Sequence, residues 1–381
     1  MNVPRLLEAG LLDKIGKDRR VVILYGPRQV GKTTLARKVL AESALRCLEL
    51  SGEDPRVEEV WASRDLRRLL GVVSGYDLIL LDEAQRIEGI GSSLKLLYDS
   101  GFPGQLFITG SSSLDLAGRT REALTGRTWT FTLYPIAFAE RALFQTPFEI
   151  DAHREEVLVL GSYPALLSMP SRADRITHLI ELVSAYLYKD VLELGGIRSP
   201  RKLRDLLRLL AYQVGSEVSY QELGRQVGMS ADTVISYIDL LEKAFVVFRL
   251  GGYSRNLRKE VTKKDKVFFL DNGVRNALVE DFKEWPLRGD QGALWENFLV
   301  AERRKANAYR GFHGGTWFWR THTGAELDYV EECDGRLSGF EFKSREREVA
   351  APAGWLSAYP EASFAAIHPR NYLDFVAPGP C

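Results

Sequence analysis

Two groups of residues in this 381-residue chain have the types and spacing to do chemistry. The first is Gly26-Pro27-Arg28-Gln29-Val30-Gly31-Lys32-Thr33, a G-x-x-x-x-G-K-T run. Glycines let backbone N–H groups turn toward phosphate oxygens, and a helix opening at Lys32 adds its positive dipole end. In such a loop the lysine reaches the β- and γ-phosphates of a nucleotide, and the hydroxyl at Thr33 ligates magnesium. The stretch from Gly26 through Thr34 is therefore the candidate nucleotide cradle. Its companion acids stand in DLILLDEAQ. Asp82 at a strand end holds magnesium through its water shell, and Glu83 beside it polarises an attacking water. Thr109, at the tip of QLFITGSSS, is placed to hydrogen-bond the γ-phosphate or that water. Simple capping of the following helix by the same serine-rich stretch is the competing reading.

The second group lies in GAELDYVEECDGRLSGFEFK, Gly324 to Lys343. Asp334-Gly335 reads as a two-residue type I′ turn. That turn sets Asp328 opposite Glu341 and Glu326 opposite Lys343, all on one face, with Leu327, Tyr329, Phe340 and Phe342 on the other. Directly opposed carboxylates have Cβ atoms about 5 Å apart and repel by roughly 3 kcal/mol at an effective dielectric near 20. A shared magnesium or manganese ion would relieve them, because hard oxygen ligands suit such cations. A plain surface salt bridge between Glu326 and Lys343 is the bland alternative.

These groups need elements to hold them. Val21 to Tyr25 and Leu78 to Leu81 are apolar throughout, as buried parallel strands are. QLFITG, ALRCLEL and TWTFTLYP bring the count to five, alternating with helices around Lys32–Glu42, Pro55–Leu70 and Ser93–Asp99. Such alternation predicts a parallel sheet covered on both faces, with the nucleotide at the carboxyl ends of the strands. Arg119, Arg121 and Arg127 follow the polar strand tip. One of them is a candidate arginine finger toward a neighbouring subunit, and Arg127 is preferred because it stands at a Gly-Arg just before a strand. Surface arginine is the plain reading for the others.

After an amphipathic stretch from Arg172 to Leu194, GGIRSP breaks the chain. SYQELGRQVGMSADTVISYIDLLEKA then reads as a helix-turn-helix, with Ser219 and Glu222 as a capping box and Ser230 capping the second helix. FVVFRL and KVFFLD flank a basic loop, completing the layout of a winged helix. The second helix offers Asp232, Asp239 and Glu242 against Lys243, so readout of base edges is not expected. Arg255, Arg258, Lys259, Lys263, Lys264 and Lys266 in the wing are suited to phosphate contacts without sequence preference. A solvated basic loop or a protein-docking face fits them equally.

Lysine plus arginine equals aspartate plus glutamate at 51 each, so any nucleic-acid surface must be a local patch. Cys47, Cys333 and Cys381 lack CxxC spacing and fit reduced thiols, and no apolar run reaches the ~18 residues of a spanning helix. A soluble cytoplasmic chain without membrane contact is expected. Its four parts are an ATPase core over 1–140, a helical connector over 141–198, a winged helix over 199–287 and a C-terminal domain over 288–381.

Taken together, GPRQVGKTTL, LILLDEAQ, FITGSS, LTGR…LYPIAFAE and GSYPALL resemble a prokaryotic family of AAA-type P-loop ATPases. The resemblance implies an AAA+ core using ATP and Mg2+, a homo-oligomer of which a hexamer is one form, and a C-terminal domain of the restriction-endonuclease-like kind. The D-x12-E-x-K spacing likewise resembles a PD-(D/E)xK nuclease core, with Leu327 where that pattern has proline. By that resemblance Asp328, Glu341 and Glu296 would bind metal (Mg2+ or Mn2+), and Lys343 would position the attacking water. The fold class expected is α/β: a P-loop parallel sheet, a helical connector, a winged helix and a small α/β nuclease-like domain. Two functions fit, an ATP-driven machine acting on DNA and an ATP-driven switch contacting proteins.

Overall fold

The computed structural model describes residues 3–111, 124–184, 199–254, 265–321 and 324–379. Its N-terminal part alternates helix and strand: α1 (Leu7–Lys14), β1 (Val21–Tyr25), α2 (Lys32–Glu42), β2 (Cys47–Ser51), α3 (Pro55–Ala62), α4 (Leu66–Val73), β3 (Leu78–Asp82), α5 (Ile90–Asp99), β4 (Gln105–Gly110) and β5 (Thr128–Thr132). The five strands form one sheet in the order β2-β3-β4-β1-β5, every pairing parallel. All residues of β1 and β4 are buried, as expected of central strands covered on both faces. The carboxyl end of β1 therefore opens between β4 and β5, where the loop from Gly26 emerges.

The single helix expected over Pro55–Leu70 is two. Arg64 takes a left-handed φ of 54°, and the Asp65 carboxylate caps the second helix by accepting from the N–H of Arg67 at 2.8 Å. An aspartate that competes for backbone N–H groups favours a fresh N-terminus over a continuous helix.

Next come α6 (Phe138–Arg141), α7 (Pro147–Ala152), α8 (Arg154–Leu160) and α9 (Arg172–Leu182). They are followed by α10 (Pro200–Tyr212), α11 (Tyr220–Val227), α12 (Ala231–Lys243) and the antiparallel pair β6 (Val247–Leu250) and β7 (Lys266–Phe269). Three helices followed by two paired strands is the element order of a winged helix. Ser219 and Ser230 cap α11 and α12 through the N–H groups of Glu222 and Thr233, and Gly228 turns between them at φ 65°.

The chain closes with α13 (Asn272–Val279), α14 (Gln291–Tyr309), β8 (Gly315–Arg320), β9 (Glu326–Cys333), β10 (Arg336–Phe342), α15 (Ala353–Ala358), β11 (Ser363–Ile367) and α16 (Tyr372–Val376). The C-terminal sheet is mixed, in the order β11-β10-β9-β8, with β10 and β11 parallel. One buried apolar cluster runs from Leu7 on α1 through Val159 and Leu207 to Val274. A second joins Phe138 and Leu158 to Phe248, Phe298 and Tyr329. Residues 134–160 thus pack on both halves, and the four-part division remains a proposal about chain order.

The hairpin follows the expected register as far as it runs. Asp334 and Gly335 both take positive φ (50° and 77°), and Cys333 pairs with Arg336 through to Tyr329 with Phe340. There the ladder ends. Against β8 the register of β9 shifts by one residue between Val330–Trp317 and Leu327–Trp319, so Asp328 and Tyr329 together face Phe318. Such a bulge breaks the two-residue alternation. Leu327 consequently leaves the face of Tyr329 and packs with Val330, Trp319 and Trp355, while Phe340 and Phe342 stay with Tyr329. Among the described residues no helix is long and apolar enough to cross a membrane.

Candidate functional site

The phosphate loop leaves β1 through Gly26, Gln29 and Gly31 at φ 150°, 59° and 93°. At Gly26 a Cβ would lie 2.0 Å from the Leu133 carbonyl oxygen, so only glycine lets the loop pass under the β5 exit. Lys32 opens α2, buried, and its Nζ donates to the carbonyls of Gly26 and Pro27 at 3.0 and 2.8 Å. An interaction invisible in the motif braces the loop from beneath. The buried Arg5 guanidinium donates to the carbonyls of Val30 (2.7 Å) and Tyr134 (2.6 Å) and to Glu140 Oε1 (2.9 Å). Glu140 in turn accepts from the N–H groups of Leu6 and Ala137. Arg5 and Glu140 lie 135 positions apart, and neither LYPIAFAE nor the N-terminus announces the other.

Asp82 is the node of the site. Its Oδ2 accepts from the Thr33 hydroxyl at 2.8 Å, and its Oδ1 accepts from the Thr109 hydroxyl. The structure thus brings Thr33, Asp82 and Thr109 together at three neighbouring element ends, and Thr109 Oγ1 also accepts from the Glu83 N–H at 3.3 Å. Glu83 itself takes a left-handed φ of 49°, and Gly52 lies so close that a Cβ there would stand 2.5 Å from the Glu83 carbonyl oxygen. A non-glycine residue in that region costs of order 1–3 kcal/mol and is held only by its surroundings. Gln85, given no role by motif reasoning, donates from its side-chain amide to the Glu83 carboxylate and to Ser111 Oγ (2.9 Å).

Arg127 sits elsewhere. Its carbonyl accepts from Val21 N at 2.9 Å, and its guanidinium pairs with Asp99 (3.3 Å) over the Tyr98 ring. It therefore lies at the amino end of β1, about 16 Å of strand away from the loop in the same chain at ~3.3 Å per residue. Arg119 and Arg121 fall outside the described residues.

The second constellation forms a seam between β7, α14 and the C-terminal sheet. Glu296, Glu326, Asp328 and Glu341 gather there, but not around a metal site of the expected kind. Among the described residues no three His, Cys, Asp or Glu side chains are placed to hold a metal ion. The reason is a cation already present. Lys266, expected in the wing as a phosphate contact, is buried in β7, and its Nζ bridges Glu296 Oε1 and Glu326 Oε1 at 3.0 Å each. Burial disfavours its charge, yet Glu296, Glu326 and Asp328 outweigh that and hold the ammonium above its ordinary value. Asp328 Oδ2 instead accepts from the Phe342 N–H at 2.7 Å, replacing the ladder bond lost at the bulge, and Glu341 Oε1 takes Lys343 Nζ at 2.6 Å. The acids thus do not fit a metal while Lys266 stays. Removing one partner of a buried pair costs about 3–5 kcal/mol. Lys266→Ala is accordingly expected to melt lower than wild type and to be raised by manganese, whereas wild-type melting is expected to be insensitive to it. Equal manganese response in both proteins contradicts this.

Burial first, and then Glu341, push Asp328 up to about 6 against Lys266. Burial likewise pushes Glu296 up to about 8 against Lys266, with Asp328 and Glu326 adding to the rise. Both groups titrate higher folded than unfolded, so the folded chain holds extra protons between about pH 4 and 8. That contribution is complete below the unfolded values and is lost as pH rises through the folded ones. The melting temperature of wild type is expected to fall from pH 5 to pH 8, and Glu296→Gln to flatten the fall. An unaltered slope in the variant would refute the assignment.

The acids on α12 are also answered internally. Arg249 on β6 donates to Glu242 Oε2 at 3.0 and 2.5 Å and also pairs with Asp239. Arg249 shares parity with the buried Val247 in β6, so no alternation in FVVFRL singles it out as the partner of those acids. Arg255, Arg258, Lys259, Lys263 and Lys264 lie outside the described residues.

A parallel five-stranded sheet with a phosphate loop and an aspartate–threonine node defines a P-loop protein of AAA type that binds ATP. The comparisons agree. The model described as AAA domain matches residues 18–142, and two models described as domains of unknown function, DUF8612 and DUF4143, match 151–284 and 291–364. The uncharacterized protein Rv2008c of Mycobacterium tuberculosis is 31% identical over 326 residues, which are 85% of this chain and 70% of that protein. The chain belongs to the family of this mycobacterial protein. The uncharacterized protein MJ1544 of Methanocaldococcus jannaschii is 22% identical, covering 82% of this chain and 72% of its own. Among solved structures, the Thermotoga maritima RuvB Holliday junction branch migration motor matches at 19% identity and TM-score 0.33, over 65% of this chain and 90% of that one. A DNA replication initiation factor matches at 17% identity and TM-score 0.28, over 62% and 86%. Overlaps this loose carry no argument about function.

Proposed function

We propose that the chain is a Mg2+-dependent ATPase of AAA+ type whose turnover drives an action on DNA without sequence preference, such as remodelling, branch migration or junction processing. The observation that supports hydrolysis best is the Asp82 carboxylate shared by Thr33 and Thr109 with Glu83 beside it. Backbone N–H groups from Gly26 to Thr34 and the Lys32 ammonium would hold the phosphates. Thr33 and Asp82 are hard oxygen donors at a helix start and a strand tip, and they suit magnesium, which neutralises charge on the β- and γ-oxygens when bound. Glu83 takes the proton of the attacking water, Gln85 fixes its carboxylate, and Thr109 orients Asp82.

The basic residues of the wing support the DNA side of the reading. A second reading has its own support: Lys266 occupies the acids that would hold a catalytic metal, which suits a switch that contacts proteins. A nucleotide-gated homo-oligomer, a hexamer being one form, serves either. Measuring phosphate release over a magnesium titration tests the ATPase part. Thr33→Ala and Asp82→Asn are expected to need far more magnesium than wild type for half-maximal rate, with EDTA stopping all three. A magnesium requirement unchanged in both variants would remove these residues from the metal's coordination.

A further inference from the structure

The helices after the phosphate-loop domain enclose a cavity of about 320 Å³ that the ATPase reading does not use. Its charged lining comprises Arg141, Arg175, Glu149, Glu156 and the polar His153, with an apolar wall that includes Leu160 and Leu166. Arg141 is the anomaly. It ends α6 only 4% exposed, and among the described residues its Nε has no hydrogen-bond partner. One of its other nitrogens reaches only the neutral Gln145 side chain, at 3.3 Å. Its one close ring contact is the face of Phe138 at 5.4 Å.

A buried guanidinium is normally paired with a carboxylate, because an uncompensated charge out of water is costly. Here the nearest carboxylates act from beyond ion-pair distance and are already engaged. Glu302 holds Lys305 at 2.7 Å and the Phe138 N–H at 2.7 Å, while Glu156 holds Arg175 at 2.5 Å. Glu149 accepts from the Thr146 N–H and hydroxyl. Burial accordingly pulls the Arg141 guanidinium below its ordinary value despite those distant acids. A fork of donors facing a cavity large enough for a small molecule is what recognises an oxyanion.

We propose that this cavity is a binding site for a small aliphatic carboxylate, its head group seated on Arg141 and its tail against the leucine wall. Glu149 and Glu156 on the same lining repel a dianion such as phosphate more than a single carboxylate, and the apolar wall has no use for a bare inorganic ion. No residue from Gly26 to Thr34 lines this cavity.

The probe is hexanoate, with inorganic phosphate as the second arm, read by thermal melting of the full chain. Millimolar hexanoate is expected to raise the melting temperature of wild type and of Lys32→Ala alike, with a smaller effect of phosphate in Lys32→Ala. Arg141→Met should be insensitive to hexanoate and, freed of an unpaired buried charge, should melt no lower than ligand-free wild type. If Arg141→Met does not fold, Arg141→Lys serves: it retains the charge without the fork and should need at least tenfold more hexanoate for half its shift. No hexanoate response in wild type, or the same response in the Arg141 variants, overturns the site. A phosphate response larger than that of hexanoate in Lys32→Ala overturns the ligand class.

Discussion

Glu83→Gln is expected to bind ATP as wild type does and to turn it over about 10²–10⁴-fold more slowly, the usual contribution of a positioned general base. The substitution keeps the size and the hydrogen-bonding reach of the side chain, so the Gln85 contact and the left-handed backbone at residue 83 survive. Only the ability to accept the water's proton is lost. Lys32→Ala has the opposite signature. It removes the ammonium that opens α2 and with it the phosphate partner, so binding itself collapses. The pair separates the steps, and equilibrium binding of a fluorescent ATP analogue beside steady-state phosphate release measures both. Full turnover in Glu83→Gln would strip that residue of its role.

The second large effect concerns assembly. Arg127 lies at the opposite end of β1 from the phosphate loop of its own chain, held by Asp99 and Tyr98. If it acts on phosphate at all, it acts on a neighbour's. Arg127→Ala is then expected to lose about 10³-fold or more in turnover, the worth of a finger arginine, with ATP affinity little changed. Mixing Arg127→Ala with Lys32→Ala subunits should recover part of the rate, since one supplies an intact site and the other an intact finger. Undiminished turnover of Arg127→Ala, or no recovery in the mixture, rules against the trans arrangement.

How much of this was legible in the sequence differs by residue. Local rules were enough for β1, the phosphate loop, the serine caps at 219 and 230, and the hairpin register down to Tyr329–Phe340. Each of those depends on a few adjacent residues and a turn with fixed geometry. The failures are long-range. Lys266 sits beside the basic wing in sequence, yet it shares parity with the buried Phe268 in β7 and so points inward to Glu296 and Glu326. Both faces of β7 are buried, so no polar–apolar alternation marks Lys266, and the run of lysines before it pointed to the wing. The bulge at Asp328 comes from the fit of β9 against β8, where Phe318 faces two residues, and no property of the hairpin alone specifies it. Arg5 with Glu140 is a pairing across 135 positions that buries both partners. Arg64 breaks a helix that hydrophobic periodicity alone continued, although Asp65 as a cap was readable. The charge of α12 was counted correctly at its own residues, but Arg249 on the adjoining strand changes what that helix presents.

The most direct test of the central claim is steady-state phosphate release from Mg-ATP by the purified full-length chain, alone and with duplex, single-stranded and branched DNA. The prediction is a Lys32-dependent and Glu83-dependent rate that rises when DNA is added, whatever its sequence. A rate that DNA leaves unchanged would move the chain to the protein-contacting switch, and absence of any Lys32-dependent phosphate release under all four conditions would contradict the proposal that this site hydrolyses ATP.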